Sequence, residues 1–165
     1  MISENDRLAI ESQLGRPIRG AIDVAHRCGC GKPDVVLTAP RLEDGTPFPT
    51  VYYLTCPRAT GAVGTLEADG KMRELQDLLE NDEELAAQYQ RAHEHYLSVR
   101  EALGHVEEIA GISAGGMPNR VKCLHVLVAH SLAAGPGVNP IGDMALELLE
   151  PWDAQGLCLG DVECE

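Results

Sequence analysis

Polar and apolar positions divide the chain into a β-rich beginning and a helical remainder. In the first fifteen residues Ile10 and Leu14 share a helical face, Ser3 with Asp6 resembles a capping box, and Gly15 is a helix stop. Ala21 to His26 reads as a strand, the β-branched run Asp34 to Thr38 as a second, and Thr50 to Thr55 as a third. Gly29 and Gly31 make a tight turn between the first two. Three prolines and Asp44-Gly45 force an irregular loop before the third. Pro57 opens a helix that ends near Gly70, and Lys71 to Glu80 forms another. Asp82 caps a longer helix to about Leu103, with Leu85, Tyr89, Ala92, Tyr96, Val99 and Leu103 as its apolar stripe. After the glycine-rich loop Gly111 to Asn119, Pro118 is read as the first residue of a helix running to about Leu132. A second loop leads to Asp143, read as the cap of a last short helix. The pattern predicts an α+β fold: a small antiparallel sheet near the N-terminus packed against a mainly helical C-terminal part.

Composition narrows the class. The chain has 165 residues, which favours one domain over residues 1–165 and a core large enough to fold without disulfide staples. Aromatic residues make up only 4%, so Leu, Ile, Val and Ala must fill the core. A net charge of −13 argues against nucleic acid or an anionic membrane as the main partner. The N-terminus lacks the basic segment and apolar run of a signal peptide, and no apolar stretch reaches the length of a membrane helix. A cytoplasmic setting is therefore expected, where thiols stay reduced. Residues 153–165 form an acidic tail expected to be mobile, and its Cys158 and Cys164 read as incidental.

Six cysteines in a reducing compartment suggest metal ligands, reactive thiols or small buried hydrophobes. Cys28 and Cys30 leave an extended segment on one face, about 6.6 Å apart along the backbone. Gly29 lets the chain bend so that both sulfurs reach one ion at about 2.3 Å. Cys56 ends the third strand, and Cys123 falls in the first turns of a helix, where the dipole favours thiolate. Cys28, Cys30, Cys56 and Cys123 are thus candidate ligands of one metal. Zinc is the first choice and an iron–sulfur cluster the alternative. Unrelated buried cysteines and a redox thiol pair remain the competing readings.

The histidines are constrained by helix geometry. Cys123 and His125, two apart on a regular helix, point to nearly opposite sides and are not expected on one ion. Cys123 and His130 share a face but lie about 10.5 Å apart along the axis. His26, His125 and His130 are therefore candidate pocket residues or spare ligands, with His26 best placed as a ligand. Cys56 with His125 is a conceivable nucleophile pair. His93, His95 and His105 read as solvated. Ser113, Gly115, Gly116, Arg120 and Lys122 form a candidate anion site, because free N–H groups at a helix start and two nearby cations attract a phosphate or carboxylate. The competing reading is a flexible connector carrying solvated charges.

The motifs AHRCGCGKPDVV, TAPRLEDGTPFPTVYYLTCP, GTLEADGKM and GISAGGMPNRVKCLHVLVAHSLAAGPGVNPIGD resemble a bacterial family common in actinobacteria, domain-of-unknown-function family 501. The resemblance runs from about residue 10 to residue 145. The family's cysteine positions fall on Cys28, Cys30, Cys56 and Cys123, and its histidine positions on His26, His125 and His130. The resemblance supports the choice of residues and supplies no activity.

Three functional readings follow. The first is a metal-binding protein with a cysteine-rich site beside a glycine-loop anion pocket, which as an enzyme would act on an anionic substrate. The second is a binding module in which a structural metal braces the fold while its helices dock a protein partner in cell growth or division. The third is a metal-free thiol enzyme.

Overall fold

The computed structural model describes residues 1–149. The expected acidic tail, with Cys158 and Cys164, lies outside them. The fold is α+β. Three antiparallel strands, β1 (Ala21–Arg27), β2 (Pro33–Thr38) and β3 (Tyr52–Leu54), form one sheet in the order β1-β2-β3. Six α-helices accompany it: α1 (Glu4–Leu14), α2 (Pro57–Ala68), α3 (Lys71–Asn81), α4 (Glu83–Leu103), α5 (Leu124–Ala134) and α6 (Pro140–Leu148). Among the described residues no helix is long and apolar enough to cross a membrane.

Local chemistry explains most boundaries. The Ser3 hydroxyl accepts the Asp6 N–H, and Gly15, at φ 67°, ends α1 by donating to the Glu11 carbonyl. The turn between β1 and β2 closes through Cys28 N–H to Lys32 O and Gly31 N–H to Cys28 O, with Gly31 at φ 83°. β3 is shorter than its β-branched and aromatic run suggests, because α4 claims the backbone before it. The Tyr96 hydroxyl accepts the Val51 N–H at 2.8 Å, and Arg100 donates to the Pro49 carbonyl at 2.9 Å.

The expected helix start at Pro118 is also displaced. Residues 119–121 are held open by two neighbouring helices: Gln76 donates to the Asn119 carbonyl and accepts the Val121 N–H, while the Tyr89 hydroxyl donates to the Arg120 carbonyl. α5 therefore begins only at Leu124. The last helix is capped by Asn139, whose side chain accepts the Gly142 N–H, with Pro140 following in the first turn. Asp143 sits inside that turn and accepts the Gly137 N–H instead.

The core gathers around α5. Leu124, Leu127, Val128, Ala129, His130 and Ser131 are all buried, as expected of a helix apolar nearly all round. It packs against β3 and α6. The α6 contact is close: a Cβ on Gly142 would lie 2.2 Å from the Leu127 carbonyl oxygen. α4 buries Leu85, Tyr89, Ala92 and Tyr96 of its predicted stripe, while Leu103 at its end stays exposed.

Candidate metal centre

Cys123 is the N-cap of α5 and has an extended backbone, φ −150° and ψ 108°. The rule that positions two apart on a helix diverge does not reach it, because the helix has not yet begun. Cys123 and His125 therefore face the same neighbour, the C-terminal part of α2. There Glu67 Oε1 accepts the Leu124 N–H at 2.8 Å and lies 3.2 Å from His125 Nδ1. The other ring nitrogen, His125 Nε2, donates to the Thr60 carbonyl at 3.1 Å. Thr60 and Glu67 lie two turns apart on one face of α2, so a single imidazole spans both. One ligand atom from each of Glu67, Cys123 and His125 lies within 4.8 Å of the other two.

The electrostatics of this triad are coupled. The hydrogen bond with Cys123 raises the His125 imidazole to about 9; burial opposes the rise and the Glu67 charge assists it. Burial pushes the Cys123 thiol up, but the hydrogen bonds with the His125 ring and the Val126 backbone, together with the His125 charge, leave it below its ordinary value. The result is a half-buried, acidified thiol beside a readily protonated imidazole and the Glu67 side chain. Cys123 and His125 also open onto a cavity of about 260 Å³, walled further by Thr50, Tyr52, Tyr53, Leu54, Thr60 and Val126.

Among the described residues this is the one group of three or more Cys, His, Asp or Glu side chains close enough to share an ion. The expected quartet does not form such a group. Cys28, Cys30 and Cys56 do arrive at one end of the sheet, since Arg27 pairs with Pro33 and the Thr55 N–H reaches the Asp34 carbonyl. Cys28 and Cys56 are buried in the apolar core and Cys30 packs on it, whereas Cys123 turns toward α2. His125 accordingly partners Cys123 rather than Cys56.

The other candidates are engaged elsewhere. His26 Nδ1 lies 2.7 Å from Asp34 Oδ1; Asp34 is buried, and its Oδ2 has no hydrogen-bond partner. Burial holds the Asp34 carboxyl above its usual range, against the hydrogen bond from His26. His130 is fully buried, 3.1 Å from Asn139 Nδ2 and 2.9 Å from His95 Nδ1. Because Asn139 Oδ1 accepts from Gly142, its Nδ2 donates to His130 Nδ1, which places the His130 proton on Nε2, donating to His95. His95 is thus a partner of the core, and His93 is buried against the Ser113 hydroxyl at 2.7 Å. Neither is the solvated residue expected; His105 is exposed between Glu101 and Glu107.

The glycine loop satisfies itself. The Arg120 N–H donates to Gly116 O and the Lys122 N–H to Gly115 O, while buried Ser113 serves His93 and the Met117 carbonyl. Gly115 and Gly116 are there for packing: a Cβ on them would meet the Leu127 side chain at 2.9 Å and the Arg120 carbonyl oxygen at 2.6 Å. The anion at the start of α5 is the protein's own Glu67. Reading the sequence missed this residue. Its one signal was position, since a carboxylate in the last turn of α2 opposes the helix dipole and needs another reason to be there.

Fold and site together define a small α+β protein with a Cys-His-Glu triad at a helix junction. The sequence model of a family described as protein of unknown function DUF501 matches residues 24–147, and the chain belongs to that family. No curated protein and no solved structure matches it.

Proposed function

We propose that Glu67, Cys123 and His125 hold a divalent metal ion, zinc by donor type, whose fourth position opens onto the 260 Å³ cavity. One thiolate, one imidazole and one carboxylate suit zinc, whereas an iron–sulfur cluster takes mainly thiolates. The observation that carries the reading is the His125 ring: Nε2 is pinned on the Thr60 carbonyl while Nδ1 faces Glu67, and a Cys123 ligand atom lies within 4.8 Å of the group. A metal-bound histidine is held this way, its second N–H tied to a backbone carbonyl so that the first nitrogen aims at the ion. Three protein ligands with an open position are the arrangement of a catalytic rather than a bracing zinc. Such an ion acts as a Lewis acid on a ligand lodged in the cavity.

The test is metal analysis of the full chain purified without oxygen, followed by cobalt substitution. One equivalent of zinc is expected, lost in Cys123→Ser and His125→Ala and retained in Cys30→Ser. Thiolate-to-cobalt absorption should vanish in Cys123→Ser. Iron with sulfide, or metal retained in Cys123→Ser and lost in Cys30→Ser, overturns the reading.

A second reading has its own support. Both His125 nitrogens face oxygen acceptors, the arrangement of an imidazolium, and Cys123 beside it is then a thiolate nucleophile oriented by a Cys-His-Glu relay. Metal-free protein in which iodoacetamide modifies Cys123 far faster than Cys30, with the difference lost in His125→Ala, selects this reading.

A further inference from the structure

A second cavity, of about 220 Å³, opens between the end of α1 and β3. Leu14, Ile18, Leu42 and Phe48, the chain's one phenylalanine, give it apolar walls, and Arg16 and Arg19 line it as well. Acidic residues outnumber Lys and Arg by 26 to 13 in this chain, so two arginines on one small apolar cavity are a local reversal of the overall charge. Their states differ. Arg19 is engaged by Asp44. Among the described residues Arg16 has no carboxylate partner; its hydrogen bond is to the neutral Tyr53 hydroxyl, at 3.3 Å.

We propose that this cavity binds a small carboxylate with an apolar body, its head group on the Arg16 guanidinium and its body against Leu14, Ile18 and Phe48. A guanidinium presents a planar fork matched to a carboxylate. Apolar walls beside it give the body of such a ligand a surface to pack against. The volume is below the roughly 300–1,000 Å³ of sites for drug-sized ligands, which limits the body to a single ring or a short alkyl chain. Tyr53 lines this cavity and the one beside Cys123 as well. A carboxylate on Arg16 therefore sits one side chain away from the triad. The site stands on its own residues and requires no metal at Glu67, Cys123 and His125.

The test is ligand-observed NMR on the full chain with phenylacetate, hexanoate and the neutral phenylacetamide, each at millimolar concentration, repeated on zinc-stripped protein. At least one carboxylate should bind ten times more tightly than phenylacetamide. Arg16→Gln, an exposed substitution whose fold is checked by circular dichroism, should abolish that preference. Arg120→Gln, on the glycine loop, should leave it intact. No binding of either carboxylate, equal binding of the amide, or a preference that survives Arg16→Gln overturns the proposal. Zinc content is read separately, so loss of the metal reading leaves this result interpretable.

Discussion

The carboxylate of Glu67 accepts the backbone N–H of Leu124 at 2.8 Å, so α2 supplies the N-terminal cap that the Cys123 side chain does not give α5. The same oxygen belongs to the triad, and two variants separate the roles. Glu67→Gln keeps an acceptor for Leu124 and removes the charge. It should leave unfolding free energy within about 0.5 kcal/mol of the parent and weaken metal binding by at least about tenfold. Glu67→Ala should weaken the metal equally and also cost about 1 kcal/mol through the lost cap. Urea denaturation of metal-free protein and titration against a competing chelator measure the two effects.

Arg100 is buried and, among the described residues, forms no salt bridge; its guanidinium donates to the carbonyls of Pro49, Ile109 and Ile112. Arg100→Met should strand all three acceptors and destabilise the protein by about 3 kcal/mol or more. Arg100→Lys should recover only part of this, because an ammonium lacks the planar fork that reaches three directions. Chemical denaturation of both variants checks the order.

Stability should fall in acid through His130. Burial, and after it the nearby His95, pushes this imidazole down to about 3. In the unfolded chain a histidine titrates near about 6.5. Between those values the unfolded state takes up a proton that the native state refuses. The contribution is intact above about 6.5 and is lost as pH drops toward 3, at about 1.4 kcal/mol per unit. In His130→Gln the pH slope of unfolding free energy from 6 to 4 should decrease by about one proton.

Gly142 permits the close approach of α6 to α5. Gly142→Ala would place a methyl group 2.2 Å from the Leu127 carbonyl and 2.3 Å from the Ser131 hydroxyl. Backbone cannot yield as a flexible side chain does, so a cost of about 3 kcal/mol is expected. Thermal unfolding of the variant measures it.

Much of the fold was legible because its signals are local. Ser3 and Gly15 bound α1, and the spacing of Leu85, Tyr89, Ala92 and Tyr96 marks the buried face of α4. Errors occur where distant side chains claim the backbone: Tyr96 and Arg100 before β3, and Gln76 and Tyr89 before α5. The site was half legible. Cys123 and His125 were singled out, but their pairing was set aside on helix geometry that does not hold at an extended N-cap. Glu67 meets Leu124 across 57 residues, a contact no local pattern announces.

The residues that begin α5 stand at the mouth of a deeply enclosed helix. Leu124 and Leu127, on the helix that follows Cys123, are both inaccessible to solvent. The backbone that carries Cys123 and His125 is therefore anchored in the core as the chain folds. Amide exchange along α5 is expected to be governed by global opening. The backbone under Cys123 and His125 then keeps its place for as long as the core around this helix stays closed.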